Sequence, residues 1–306
     1  MRDLVHVVAR SLSPARLAGG LRTVAATPSA MSLRVRNRTL HSPVVGDAPV
    51  VVSLTSYGQR LRLVHVAIES IAAGRVRPRR LILWSEDPSI VSDPPAPLAR
   101  LQRRGLEILP TPDWGPHKKY SPYAASVSRH ELPLVTADDD VCYGSRWLDF
   151  LLESHVRHPD DVIAHRAHRV ALSEGRILPY AQWEKLEPGE AGPRTFATGM
   201  SGVLYPPRML DALRDAGTAF TECAPFADDV WLHANALRSG TTVRPVSDGL
   251  TSYRSVPGTA LGGLRGKNVL GGGNDAQIAT TYTPEEVALL WRDQCEAETR
   301  RGGPSR

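Results

Sequence analysis

Residues 134–141 read Leu134-Val135-Thr136-Ala137-Asp138-Asp139-Asp140-Val141. Four residues of strand character run straight into three carboxylates. On an extended chain Asp138 and Asp140 point one way and Asp139 the other. Adjacent acids repel, so a triplet at a strand end persists where something positive sits among them. Two carboxylates on the same side suit a hard cation, Mg2+ or Mn2+, with positions left for substrate oxygens. The bland alternative is a solvated acidic turn. The apolar run immediately before the triplet favours the metal.

Upstream, Val50-Val51-Val52-Ser53-Leu54 is a continuous apolar run and reads as a buried strand. Residues 61–73 read as a helix, with Leu61, Val64, Ile68 and Ile71 on one stripe and Gly74 as its stop. Strands are predicted at 81–84 and 105–109, a short helix up to about Arg104, and a further helix over about 122–130. Strands alternating with helices predict an α/β fold, a mainly parallel central sheet flanked by helices. In such sheets ligands sit at the carboxyl ends of the strands. Those ends carry residues 53–59, Ser85-Glu86-Asp87 and the aspartate triplet. No GxGxxG follows the first strand and no GxxxxGK[ST] occurs, which counts against a dinucleotide-binding dehydrogenase and a P-loop NTPase.

Other polar motifs flank this frame. Lys118 and Lys119 precede a predicted helix, where point charge and backbone N–H groups favour a phosphate; the alternative is a pair of surface lysines. Asp228-Asp229 opens a helix continuing Val-Trp-Leu-His. The pair reads either as an electrostatic cap or as a general base. Gly199 and Gly202 in Thr-Gly-Met-Ser-Gly fit a substrate-facing turn, or any tight turn. His165 and His168 in His-Arg-Ala-His-Arg read as a polar strand or loop lining a cleft more readily than as a zinc pair. Thr283-Pro284-Glu285-Glu286 is a capping box opening a last helix over about 284–295, with 297–306 frayed.

The chain has 306 residues, a net charge of +5 and 42% apolar residues. That composition excludes a disordered or collagen-like chain. No apolar run approaches the roughly 18 residues of a membrane helix. Three cysteines, far apart, favour a reducing compartment over a disulfide frame. Residues 1–46 hold seven arginines and one aspartate, +6, which leaves −1 for residues 47–306. A near-neutral body argues against nucleic acid as a partner. Leu4, Val5, Val8 and Leu12 share a helical face, so the tail reads as an amphipathic helix on an anionic membrane surface or as a frayed basic leader.

Taken in order, VVVSLTSYGQR, RLILWSED, DWGPHKKY, LVTADDDV, FATGMSGVLYPP and FADDVWLHANAL resemble a GT-A-fold glycosyltransferase. The similarity is greatest to bacterial family-2-like enzymes that build surface polysaccharides, and it covers about residues 49–280. The resemblance implies a single GT-A-like catalytic domain at 47–282, after the 1–46 tail and before a C-terminal helix and tail at 283–306. It implies that Thr55, Tyr57 and Asp87 contact the nucleotide, and that Lys118 or Lys119 offsets the diphosphate. Asp138, Asp139 and Asp140 would stand where the family carries its DxD motif, with Asp138 and Asp140 on the metal and donor. Asp229 would be the base, with Asp228 as alternate, and Gly199, Ser201, Gly202 and Trp231 would meet the acceptor. Many members complete the metal sphere with a histidine near the end of the core. The last histidine here is His233, and Asn274 or Asp275 is the available substitute.

The expected activity is metal-dependent, inverting transfer of a sugar from a nucleotide-diphosphate sugar, UDP-linked being commonest, to a glycan or lipid-linked hydroxyl. The expected location is cytoplasmic, on the inner membrane face through the tail. The alternatives are a nucleotidyltransferase or other metal-dependent phosphate-handling enzyme, and a membrane-surface binding module.

Overall fold

The computed structural model describes residues 30–186, 190–246, 254–259 and 272–301. Helix α1 spans 30–39. Strand β1 (Ala48–Thr55) leads through a 3-10 turn, Gly58–Arg62, into helix α2 (Val64–Ala72). Strand β2 (Pro78–Ser85), helix α3 (Ala96–Gln102), β3 (Leu106–Pro110) and β4 (Leu134–Ala137) follow. Helix α4 (Trp147–Arg157) then leads to β5 (Val162–Ala164) and β6 (Val203–Tyr205). Helices α5 (Pro207–Ala216) and α6 (Asp228–Arg238), strand β7 (Val243–Pro245), and helices α7 (Gly273–Thr281) and α8 (Pro284–Arg301) complete the order.

The main sheet has the order β7-β5-β6-β4-β1-β2-β3. All neighbours pair in parallel except β6, which is antiparallel to both β4 and β5. The fold is therefore the expected α/β architecture with a mainly parallel sheet flanked by helices. The one reversed strand has a consequence for the site. Its amino end pairs Val203 with Thr136 and Ala164, so the turn before β6 lies beside the carboxyl ends of β4 and β5.

Alternation along β1 explains the two-sided core. Val50, Val52 and Leu54 face a cluster with Ile68, Leu101 and Trp147. Val51 faces the opposite cluster with Tyr120, Leu210 and Trp231. A strand buried on both faces needs a continuous apolar run, which is what residues 50–54 supply. A third cluster joins Val170, Trp183 and Phe196 to α6, α7 and α8.

Four boundaries differ from the sequence expectation. Helix α2 begins at Val64, because residues 58–62 form the 3-10 turn, which Gly58 enters at φ +53°. The helix expected over 122–130 ends at Ala125: Asp211 captures the His130 ring and backbone N–H, at 2.7 and 3.1 Å, and pulls the segment off the helical path. Helix α8 runs on to Arg301; its capping box forms reciprocally between Thr283 and Glu286.

The fourth concerns the tail. Residues 30–46 pack on the body. Ala30 and Leu33 of α1 join Val66 and Val256, and Val44 lies in the main core. Asn37 is buried and donates to Glu69 and to Pro97 O. Glu69 is fully buried and paired with Arg104. Three of the seven tail arginines, Arg34, Arg36 and Arg38, thus belong to a packed helix. The proposed amphipathic face at residues 4–12 lies outside the described residues. Among the described residues no helix is long and apolar enough to cross a membrane.

Candidate active site

The carboxyl ends of β1 and β4, the turn before β6 and the first turn of α6 converge on Lys119. Its ammonium lies 2.7 Å from Asp138 Oδ1 and 3.6 Å from Asp228 Oδ2. Burial alone would lower its pKa. Asp138 and Asp228 outweigh that and raise it well above the ordinary lysine value. Lys119 is a fixed positive charge.

Asp139 is buried and accepts from Ser56 Oγ at 2.6 Å and from Arg60 at 2.9 Å. The same guanidinium reaches Asp140 Oδ2 at 3.1 Å and Thr259 O at 3.2 Å. Asp140 keeps more solvent contact, its side chain 31% exposed. Burial, with Asp138 adding to it, pushes its pKa up to about 6 against the pull of Arg60. The backbone N–H of Asp138 donates to Tyr143 Oη at 2.7 Å and fixes the start of the triplet.

Across the site, Asp229 Oδ1 accepts from the Gly199 N–H at 2.9 Å. Burial and the neighbouring Asp228 raise its pKa, and Lys119 opposes them. A Cβ on Gly199 would stand 2.9 Å from that oxygen and 3.7 Å from the Lys119 ammonium, so a side chain there would push the Asp229 carboxylate away. Ser201 and Gly202 both have positive φ, +86° and +99°. Trp147 Nε1 donates to Ser201 O at 2.7 Å and holds this turn. The strain is local to the loop that supports Asp229.

The other expected residues divide. Thr55 Oγ1 is spent on Trp84 O at 3.0 Å, and Tyr57 lies exposed beside the site, its ring 5.9 Å from the Arg60 guanidinium. Asp87 caps the short helix Pro88–Ser92, and bonds from Ser89 lower its pKa. Lys118 turns away from Lys119: its buried ammonium pairs with Glu86 at 2.6 Å and Asp113 at 2.9 Å. Trp231 is buried in the core between Phe220 and Arg238. Asp275 accepts from Tyr180 N–H at 2.7 Å and lines a different groove with Arg176 and Ile278. His233 is buried between Tyr282 Oη and Pro193 O, and His165 bonds to Trp147 O; burial lowers both to about 4. The structure therefore gathers Asp138, Asp139, Asp140, Lys119, Asp228, Asp229 and Gly199, and leaves Lys118, Asp87, Asp275 and Trp231 in other settings.

Arg60 and Ser56 were missed as partners of the triplet. Both lie within the Thr-Ser-Tyr-Gly-Gln-Arg stretch that leaves β1, and a basic residue on a strand-end loop facing three acids was the available signal.

The five aspartates outnumber Arg60 and Lys119, so the cluster carries excess negative charge when ionised. Among the described residues no three Asp, Glu, His or Cys side chains converge to hold an ion by themselves. The donors are hard carboxylate oxygens. They fit a divalent cation bound through one or two carboxylates and completed by substrate phosphates.

No protein-family model and no curated protein matches the chain. Solved structures similar to it include residues 1–349 of TarS from S. aureus, at 14% identity over 67% of this chain and 59% of that one, TM-score 0.46. Another is the mannosyltransferase PcManGT from Pyrobaculum calidifontis in complex with GDP-Man and Mn2+, at 11% identity over 93% and 88%, TM-score 0.43. A third is CMP:2-keto-3-deoxy-manno-octonic acid synthetase with CTP, at 14% identity over 64% and 88%, TM-score 0.37. The match spans about three-fifths of the TarS fragment.

Proposed function

We propose that the protein is a glycosyltransferase that moves a sugar from a nucleotide-diphosphate sugar to a hydroxyl acceptor with inversion. One observation carries the reading. Asp138 and Asp140, at the carboxyl end of β4, face Asp228 and Asp229 across a single lysine bonded to Asp138 at 2.7 Å. One acidic pair is suited to a donor's diphosphate through a cation, the other to an acceptor's proton.

Asp138 and Asp140 would hold the divalent cation, Mn2+ or Mg2+. When bound, that cation supplies positive charge to a leaving diphosphate. Lys119 adds a fixed charge on the same side, worth most where water is excluded. Arg60 and Ser56 hold Asp139 and, through it, the conformation of the triplet. An acceptor hydroxyl is a poor nucleophile, and Asp229 is the carboxylate placed to take its proton. A base with a raised pKa suits that task, and its bond to Gly199 N–H fixes its orientation. Attack from the side of Asp229, opposite the diphosphate, inverts the anomeric centre. The basic leader would hold the enzyme at an anionic membrane surface, near lipid-linked acceptors.

The test needs no acceptor. UDP- and GDP-sugars with Mn2+ should raise the melting temperature and release nucleoside diphosphate slowly to water. Asp140→Ala and Asp229→Ala should each remove that release while the protein stays folded. Wild-type release in both variants would sink the reading. Pyrophosphate formed from an NTP and a sugar phosphate would point to nucleotidyl transfer instead.

A further inference from the structure

The stretch His165-Arg166-Ala167-His168-Arg169 has no part in the transfer as derived, yet the fold brings it to the same edge. Strand β5 runs parallel to β4, so residues 165 and 166 leave the sheet on the side of the triplet. The Arg166 carbonyl accepts from Thr198 N–H at 3.0 Å, and Arg166 Nη1 donates to Met200 Sδ at 3.1 Å. Between those residues, Gly199 N–H donates to Asp229. Arg166 and the proposed base therefore hold one three-residue turn from two sides.

Among the described residues, the partners of this guanidinium are uncharged. Arg166 Nη2 lies 3.2 Å from His168 Nε2 and can only donate, so that nitrogen accepts and the ring is neutral. Burial, with Arg166 and Lys185 adding to it, lowers His168 to about 4 and keeps it so. The other partner is a thioether, a weak acceptor. Among the described residues, the buried Arg166 Nε has no hydrogen-bond partner. Several other arginines take carboxylates, buried Arg194 with Asp293 and half-buried Arg238 and Arg244 with Glu286 and Asp161, while Arg100 takes the neutral Asn37 Oδ1. Met200, which covers Arg166, is 46% exposed and can be displaced.

A planar fork held by weak acceptors exchanges them readily for an oxyanion, which it binds with two parallel bonds. Arg166 adds a positive charge on the turn that Asp229 also holds, supplementing Lys119, which already lies 3.6 Å from Asp228.

We propose that Arg166 binds an oxyanion, phosphate or carboxylate, borne by the acceptor, so that the acceptor is an anionic polyol or glycan. The word acceptor rests on the glycosyl-transfer reading; the anion site does not.

Binding of glycerol 1-phosphate and galacturonate is compared with that of neutral glycerol and galactose by calorimetry, on the intact protein with UDP and Mn2+ present. An anionic probe should bind about tenfold or more tightly than its neutral counterpart. Arg166→Ala should erase the preference, Arg166→Glu reverse it, and Arg166→Lys keep part of it. Which probe is preferred tells phosphate from carboxylate. Unchanged melting of Arg166→Ala and Arg166→Glu excludes unfolding as the cause. Equal binding of charged and neutral probes by the wild type, or an unaltered preference in Arg166→Ala, overturns the proposal. A nucleotide thermal shift on the same samples separates the two readings. Its absence with the anion preference intact would sink transfer alone, and its presence without the preference would sink the anion site alone.

Discussion

Gly199 and Gly202 stand three residues apart in one turn, and the structure gives them opposite duties. At Gly199 the backbone imposes no left-handed conformation. An added methyl there would meet only the tips of two polar side chains, Asp229 Oδ1 at 2.9 Å and Lys119 Nζ at 3.7 Å. Ordinary contact begins at 3.4 Å, so the carboxylate must retreat by about 0.5 Å and its bond to the Gly199 N–H lengthens. If Asp229 is the proposed base, such a displacement costs turnover steeply; about 1 Å can cost a hundredfold, so about a tenfold loss of kcat is expected. Stability should barely change. At Gly202, φ is +99° and a methyl would meet the Trp147 ring at 2.7 Å. That ring is buried and bonded to Ser201 O, so it cannot yield. Left-handed strain of about 1–2 kcal/mol and overpacking of about 1–3 kcal/mol add to about 2–5 kcal/mol. At about 2 °C per kcal/mol for a chain of this size, Gly202→Ala should melt about 4–10 °C lower. Thermal melting and release of nucleoside diphosphate, measured on both variants, form the assay. If Gly199→Ala melts as low as Gly202→Ala while keeping full turnover, the assignment of the turn is wrong.

Three more outcomes are expected. Lys118→Met should cost about 1–3 kcal/mol, because Glu86 and Asp113 lose a charged partner, and should leave nucleotide binding intact, whereas Lys119→Met should lose binding; denaturant titration and calorimetry distinguish the two, and the opposite pattern would reverse their roles. His233, held near pKa 4 by burial, binds a proton only when unfolded between about pH 4 and 6.5, so its contribution is complete above 6.5 and is lost as pH falls. From pH 7.5 to 5.0 the wild type should lose about 2 kcal/mol relative to His233→Gln in urea unfolding, a comparison that cancels the opposite slope of the raised Asp140 carboxyl; parallel curves would contradict it. Deleting residues 1–29 should abolish binding to vesicles containing phosphatidylserine while leaving turnover, and equal binding of both forms would refute a membrane role for the leader.

The sheet was legible because its signal is one-dimensional. Val50-Val51-Val52-Ser53-Leu54 and Leu134-Val135-Thr136-Ala137 are buried on both faces, and a doubly buried strand must be written as a continuous apolar run. The triplet was legible for a related reason: acids have no place in such a strand, so they mark its end. What the sequence left open was pairing across distance. Lys118 and Lys119 are adjacent and chemically identical, and only the 3-10 turn at Gly115–Lys119 decides that one faces Glu86 and the other Asp138. Asp87 and Asp138 both end strands, yet a local Ser89 satisfies the first with a cap while the second must wait for Lys119 from another segment. The boundary of the leader was misplaced for the same cause. Arg36 and Asn37 look like part of a solvated basic run until α2 supplies a buried Glu69 for them to meet, at 4.0 and 3.2 Å.

That correction changes what the charge means. With α1 inside the fold, residues 1–29 keep four arginines and one aspartate, +3, and the remaining chain carries +2 of the total +5. Part of that positive charge is committed: Arg104 to Glu69, Arg60 to the triplet and Lys119 to Asp138 and Asp228. Arg166 differs from these because its bonded partners are neutral. The pairing of individual cations, more than the net charge, bears on chemistry. A cation already bonded to a carboxylate must give up that bond to take a substrate oxyanion, whereas Arg166 gives up only a thioether and a neutral ring. That difference in exchange cost is why Arg166, and not the more conspicuous Lys118, is the residue to expect on an incoming anion.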